Sequence, residues 1–148
     1  MTTSFDHYPR WARTLAHGIR ARLGNTMADE MERVAFGDDV KRAKTRVKYL
    51  RTPAILVVGC APDVNAMLHA ENRDAVAAGI QNALLGATTL GLASFWSTPA
   101  LTQPESVLDL CDFDPDDRLV GIIYLGWATQ ACTAPERPPI AITHITGV

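Results

Sequence analysis

Trp96, Ser97 and Thr98 stand side by side in GLASFWSTPAL, residues 91–101, between a Gly-Leu step and a proline. A Trp beside two hydroxyl residues at a strand end suits two kinds of work. Either the indole packs a core and the turn merely stops the strand, or the strand end faces a flat ligand. In the second case backbone and hydroxyl groups would hydrogen-bond to that ligand. The residue types alone leave both open.

Other chemistry-bearing residues are sparse. Cys60, Cys111 and Cys132 are widely spaced, with no C-x-x-C, which argues for a reducing, cytoplasmic setting without a disulfide framework. The four His residues show no ligand spacing with these thiols, so no metal site is expected. Cys60 follows an apolar run without a His or Asp placed to activate it, and reads as a small core residue rather than a nucleophile. Lys41, Lys44, Lys48 and Arg51 form a basic row beside an apolar row of Val40, Ala43, Val47 and Leu50, which is expected to be the buried side. Such a row could grip phosphates, but it also fits a solvated helix flank, since aromatic stacking groups are nearly absent from it.

The elements that must position these residues follow from periodicity. RWARTLA (10–16) suits a short strand or a helix start. IRARLGNTMADEMERVAFG reads as a helix with Leu23, Met27, Met31 and Val34 on one face, ended by Gly37. Asp38 or Asp39 then caps the basic helix. TPAILVVGCAP is a strand buried on both faces. ENRDAVAAGIQNALLGATTLG is a long helix rich in Ala and Gly, stopped by Gly91. Its glycines at 79 and 86 cost about 1 kcal/mol each relative to Ala, so close packing is expected and the helix reads as central and nearly fully buried. LASFWS is a strand, QPESVLDLCD a short helix with Pro104 in its first turn, and DDRLVGIIYLGW another buried strand. The tail TAPERPPIAITHITGV reads as an extended arm with a final strand, its isoleucines lacking a local partner. Such an arm suits addition to a neighbouring subunit.

The 148 residues are 47% apolar, enough for one domain spanning 1–148. A net charge of −2 gives no bulk attraction to nucleic acid or membrane, although 11 of the 14 Lys and Arg fall between Arg10 and Arg51. No apolar run approaches the ~20 residues of a membrane span, and no signal peptide is legible.

The order AAGIQNALLGATTLGLASFWSTPAL then DRLVGIIYLG, preceded by KYLRTPAILVV and IRARLGNTMADEM, resembles the nitroreductase family, over about residues 18–127. The resemblance implies an α+β fold: a central mixed sheet flanked by helices. It implies a homodimer holding FMN at the subunit interface, with two electrons passing from NAD(P)H to nitroaromatic or quinone-like acceptors. Trp96, Ser97 and Thr98 then lie beside the flavin ring, where fixed donors tune the cofactor without reacting. No residue is expected to be catalytic in its own right. FDHYPRWAR offers His7 for a flavin-contacting His, in altered order and spacing, and Arg137 resembles an Arg that reaches the FMN phosphate. Nothing before His7 matches the family's Arg-Arg-Ser helix, so the chain is expected to be N-terminally truncated relative to the family. A dimeric remnant that keeps the fold and holds flavin weakly or not at all is the alternative implied. A nucleic-acid or anionic-ligand binder working through the basic helix is a third reading.

Overall fold

The computed structural model describes residues 12–14, 17–131, 133 and 136–144. In chain order the elements are β1 (Ala12–Thr14), α1 (His17–Arg33), α2 (Asp39–Lys48), β2 (Ala54–Cys60), α3 (Ala66–Thr89), β3 (Ala93–Ser97), α4 (Glu105–Leu110) and β4 (Arg118–Gly126). The four strands form one sheet in the order β1-β2-β4-β3. This is the expected α+β arrangement, but the sheet is not mixed: all three described pairings are antiparallel. The crossover through α3 carries β3 past β2 to the far side of β4. β2 and β3 therefore run the same way without touching.

The two inner strands explain the continuous apolar runs. β2 and β4 register Ile55 with Tyr124 and Val57 with Ile122 on one face, and Leu56 with Ile123 on the other. The first face meets α1 and α4, where Leu23, Met27, Met31, Val107 and Leu108 are buried with Tyr49. The second meets α3, with Val58, Ile80 and Ile123 at its centre. Fully burying each such side chain contributes about 1.5–3 kcal/mol. A register shift between Val58 and Gly59 puts an extra residue in β4, so Val120 joins the α3 face and Leu119 the opposite core.

Helix ends follow local chemistry. Asp38 accepts from the Lys41 N–H and Asn65 from the Met67 N–H, satisfying first-turn donors. α3 stops as anticipated: Gly91 has φ 74°, with Leu92 N–H on the Ala87 carbonyl and Gly91 N–H on Thr88. α1 ends earlier than expected. Its left-handed residue is Ala35, at φ 52°, and Phe36 N–H reaches back to Met31; Gly37 belongs to the following turn. Pro104 is the cap of α4 rather than a first-turn residue.

Three further expectations are corrected. The apolar row of α2 is exposed, as is Val34, and the helix instead buries Thr45 and Tyr49. The cause lies in α1, where Gly24 lets the backbone of Arg46 come into direct contact. That contact turns the Thr45–Tyr49 side inward, and the Arg46–Asp29 ion pair (2.7 Å) ties the two helices at the rim. α3 is not nearly buried: Ile80 and Ala87 are its buried residues, while Leu85 and Leu90 are exposed. Residues 136–144 carry no strand, and Ile140 and Ile142 are exposed.

Candidate functional site

Among the described strands β3 lies at the edge, pairing β4 on one side, and it ends in the Ser97-Thr98-Pro99 turn. Strand alternation splits the three residues expected to act together. Trp96 registers with Ile123 on the α3 face, and its indole lies across Gly121, where any Cβ would collide with the ring. Phe95 registers with Tyr124 on the opposite face, at 6.3 Å between ring centroids. Ser97 shares that face and receives a long hydrogen bond, 3.4 Å, from Lys48 Nζ. Thr98, just past the strand, borders a recess on either side.

On the α2 side the recess has a cavity of about 390 Å³, with Lys41, Lys44, Lys48 and Arg51 around Thr98 and Pro99. Lys48 Nζ lies 5.9 Å from the Tyr124 ring centroid and 5.7 Å from that of Tyr49. Burial, then the charges of Arg51 and Lys41, pull its pKa below the usual lysine value. The two tyrosines stack nearly parallel, and neither buried hydroxyl has a hydrogen-bond partner among the described residues. Burial drives both phenols far up, so they stay neutral.

On the α3 side a smaller recess of about 200 Å³ brings His69 and Arg73 from one helix face up to Trp96, Cys60 and Arg118. Asp63 N–H donates to His69 Nδ1 at 3.4 Å. Cys60 is buried, and burial first, then Asp117, raise its thiol pKa against a smaller opposing effect of Arg73. A protonated thiol is a poor nucleophile, in keeping with a core role.

Of the residues expected from sequence, Trp96, Ser97 and Thr98 therefore meet at one strand end, on two faces. Arg137 is exposed in the tail and makes no hydrogen bond or ion pair among the described residues. His7 lies outside the described residues. Sequence reasoning missed Phe95, His69 and Arg73. The i, i+4 spacing of the last two on a helix was a usable signal. Lys48 was noticed only as part of a flank, because its approach to Ser97 depends on how α2 is rotated.

The chain shares this architecture with known proteins. A nitroreductase-like family protein from Bacillus cereus is 24% identical, with a TM-score of 0.69, over 90% of this chain and 72% of that one. A nitroreductase from Bacteroides fragilis, crystallised with bound FMN, is 21% identical with a TM-score of 0.68, over 97% of this chain and 80% of that one. An iodotyrosine deiodinase bound to FMN and 3-iodo-L-tyrosine is 15% identical with a TM-score of 0.63, over 93% and 78%. No curated protein matches the sequence. The model of the nitroreductase family matches residues 9–127. With most of its length covered by that match, and with the order of helices and strands that its segments imply, the chain belongs to the nitroreductase family.

Proposed function

We propose that the protein is an FMN-dependent NAD(P)H oxidoreductase that reduces nitroaromatic or quinone-like acceptors by two electrons. The observation that carries this reading is the free end of β3. Exposed aromatic surface from Phe95 and Trp96, the polar turn at 97–98 and the cations of α2 converge there. That donor set fits a flavin: apolar area for a ring, backbone and hydroxyl groups for its heteroatoms, and positive charge for the negative charge it gains on reduction. The FMN bound to the similar Bacteroides fragilis protein supports the same reading.

When bound, FMN supplies the hydride chemistry, so no side chain is assigned as a catalytic acid or base. Trp96, held over Gly121, presents a fixed apolar edge. Ser97 and Thr98 orient polar groups of the ring, and Lys48 beside Ser97 favours the charged reduced form. His7 and Arg137 stand as further contacts, to the ring and to the phosphate respectively. The working unit in this reading is a cytoplasmic homodimer, with no nucleic-acid or membrane partner; no described helix is long and apolar enough to cross a membrane.

The test is the visible spectrum of the purified protein, followed by FMN titration. A yellow protein, bleached by NADH or NADPH and reoxidised by a quinone, is expected. Trp96→Ala is expected to weaken FMN by about tenfold, the scale of a lost ring-side contact, with the fold retained. A colourless protein that takes up no added FMN replaces this reading with the dimeric remnant.

A further inference from the structure

The recess on the α3 face lies across the sheet from Ser97 and Lys48, and the flavin reading gives its cations nothing to do. His69 and Arg73 reach it from successive turns of α3. Arg118 enters from the start of β4, where it registers with Cys60 of β2. The Leu119 N–H donates to the Thr102 carbonyl at 2.8 Å, which pins the loop bearing the Thr102 hydroxyl to the same strand end. The volume of about 200 Å³ lies below the roughly 300–1,000 Å³ of a drug-sized pocket, so the ligand it admits is small.

The wall is rich in donors and carries no carboxylate. Among the described residues neither Arg73 nor Arg118 makes an ion pair. Two carboxylates stand close by but outside the lining. Asp63 accepts from the Asn65 N–H at 2.8 Å, and Asp117 from the Asp114 N–H at 3.1 Å. His69 Nδ1 accepts from the Asp63 N–H, so the neutral imidazole keeps its proton on Nε2 and offers a further donor.

We propose that this recess binds a small planar carboxylate, held between the guanidinium groups of Arg73 and Arg118, with its apolar part against the Trp96 indole. A guanidinium matches the two oxygens of a carboxylate in one plane, and His69 Nε2 and the Thr102 hydroxyl serve the remaining lone pairs. Asp63 and Asp117 weaken the local positive field, which favours a monoanion over a phosphate dianion. Leu119 and Val120 add apolar surface beside the indole. The site does not rest on the flavin reading; Trp96 is the residue the two share.

The test titrates the full chain with benzoate against chloride at constant ionic strength, followed by backbone amide and indole N–H shifts. Shifts centred on residues 60, 69–73, 96, 102 and 118–120 are expected, with benzamide, the uncharged analogue, binding about tenfold more weakly or worse. Arg73→Gln with Arg118→Gln, both at exposed positions, is expected to lower benzoate affinity by about tenfold or more, while Arg22→Gln on α1 leaves it unchanged. Inorganic phosphate bound more tightly than benzoate overturns the proposal. So do benzoate shifts clustered at 41–51 and 97, or an affinity that ignores the double variant. A colourless protein that takes up no FMN yet binds benzoate here sinks the flavin reading and keeps this one. A yellow protein whose recess ignores benzoate sinks this proposal alone.

Discussion

The indole of Trp96 lies across Gly121 on the neighbouring strand, so closely that a Cβ at 121 would collide with its Nε1. Trp96 registers with Ile123, which makes Gly121 its diagonal neighbour on the α3 face. The glycine is there for space: it lets a large ring lie flat on the sheet. Gly121→Ala is expected to push the indole away and cost about 1–3 kcal/mol. In a Trp96→Ala background the same change is expected to cost almost nothing, because the obstruction has gone. Urea unfolding of the four proteins measures the coupling. Equal costs in both backgrounds would mean that the indole is not held by that glycine.

A second close approach joins the helices. A Cβ on Gly24 would run into the carbonyl of Arg46, which is backbone and cannot swing aside. Gly24→Ala is expected to separate α1 from α2 and cost about 3 kcal/mol. Gly18, in the same helix, has nothing within 4 Å of such a Cβ. Gly18→Ala is therefore expected to stay within about 0.5 kcal/mol of the parent. Thermal melts of the pair separate packing from helix propensity, and similar shifts for both would refute the contact.

The inner strands were readable because burial on both faces leaves a continuous apolar run, as in Ile55–Val58 and Leu119–Tyr124. Leu23, Met27 and Met31 were readable for the matching helical reason. The buried side of α2 was not. Its valines have perfect helical spacing, yet the approach at Gly24 decides the rotation, and Tyr49 offers a larger area to bury than any of them. Sheet direction was hidden because it depends on where α3 deposits β3, a long-range property absent from local pattern. At the site the turn at 96–98 was legible. The division of Trp96 and Ser97 between two faces follows from strand alternation and was available without coordinates.

Glu30 links α1 to α4. Ser106 Oγ donates to Glu30 Oε1 at 2.5 Å, and Arg33 pairs with Oε2 at 2.7 Å. The Ser106 hydrogen bond, opposed by burial and reinforced by Arg33, holds the carboxyl below the ordinary glutamate value of 4.5. A carboxylate depressed in the folded state stabilises the fold above its unfolded pKa, and that stability disappears as pH falls through the folded value. Glu30→Gln is thus expected to be less stable than the parent at neutral pH and to converge with it as pH falls through the lowered value of the folded carboxyl. Denaturant midpoints across that range give the difference. A constant gap at every pH would remove the ionised carboxylate from the account.

The surface left bare by a single chain bears on assembly. Leu85 and Leu90 of α3 are 56% and 78% exposed, and Val40 and Val47 of α2 are 61% and 55% exposed. An Ala- and Gly-rich helix whose outer side carries leucines is built for close approach by another surface, and Gly86 has nothing within 4 Å of an added Cβ. A homodimer would cover such apolar area at about 25 cal/mol per Å². Leu85→Glu with Leu90→Glu is expected to give a folded monomer by light scattering, since within one chain neither position is buried. Gly86→Ala supplies the sign. In a lone chain it adds up to about 1 kcal/mol through helix propensity. Under a partner packed against that glycine it weakens association instead. In such a homodimer, removing residues 133–148 is expected to lower the unfolding midpoint, because the apolar area that the exposed Ile140 and Ile142 would offer a partner is deleted. A parent protein that stays monomeric at micromolar concentration, with Gly86→Ala simply more stable, would leave the outer face of α3 to solvent and end the dimer argument.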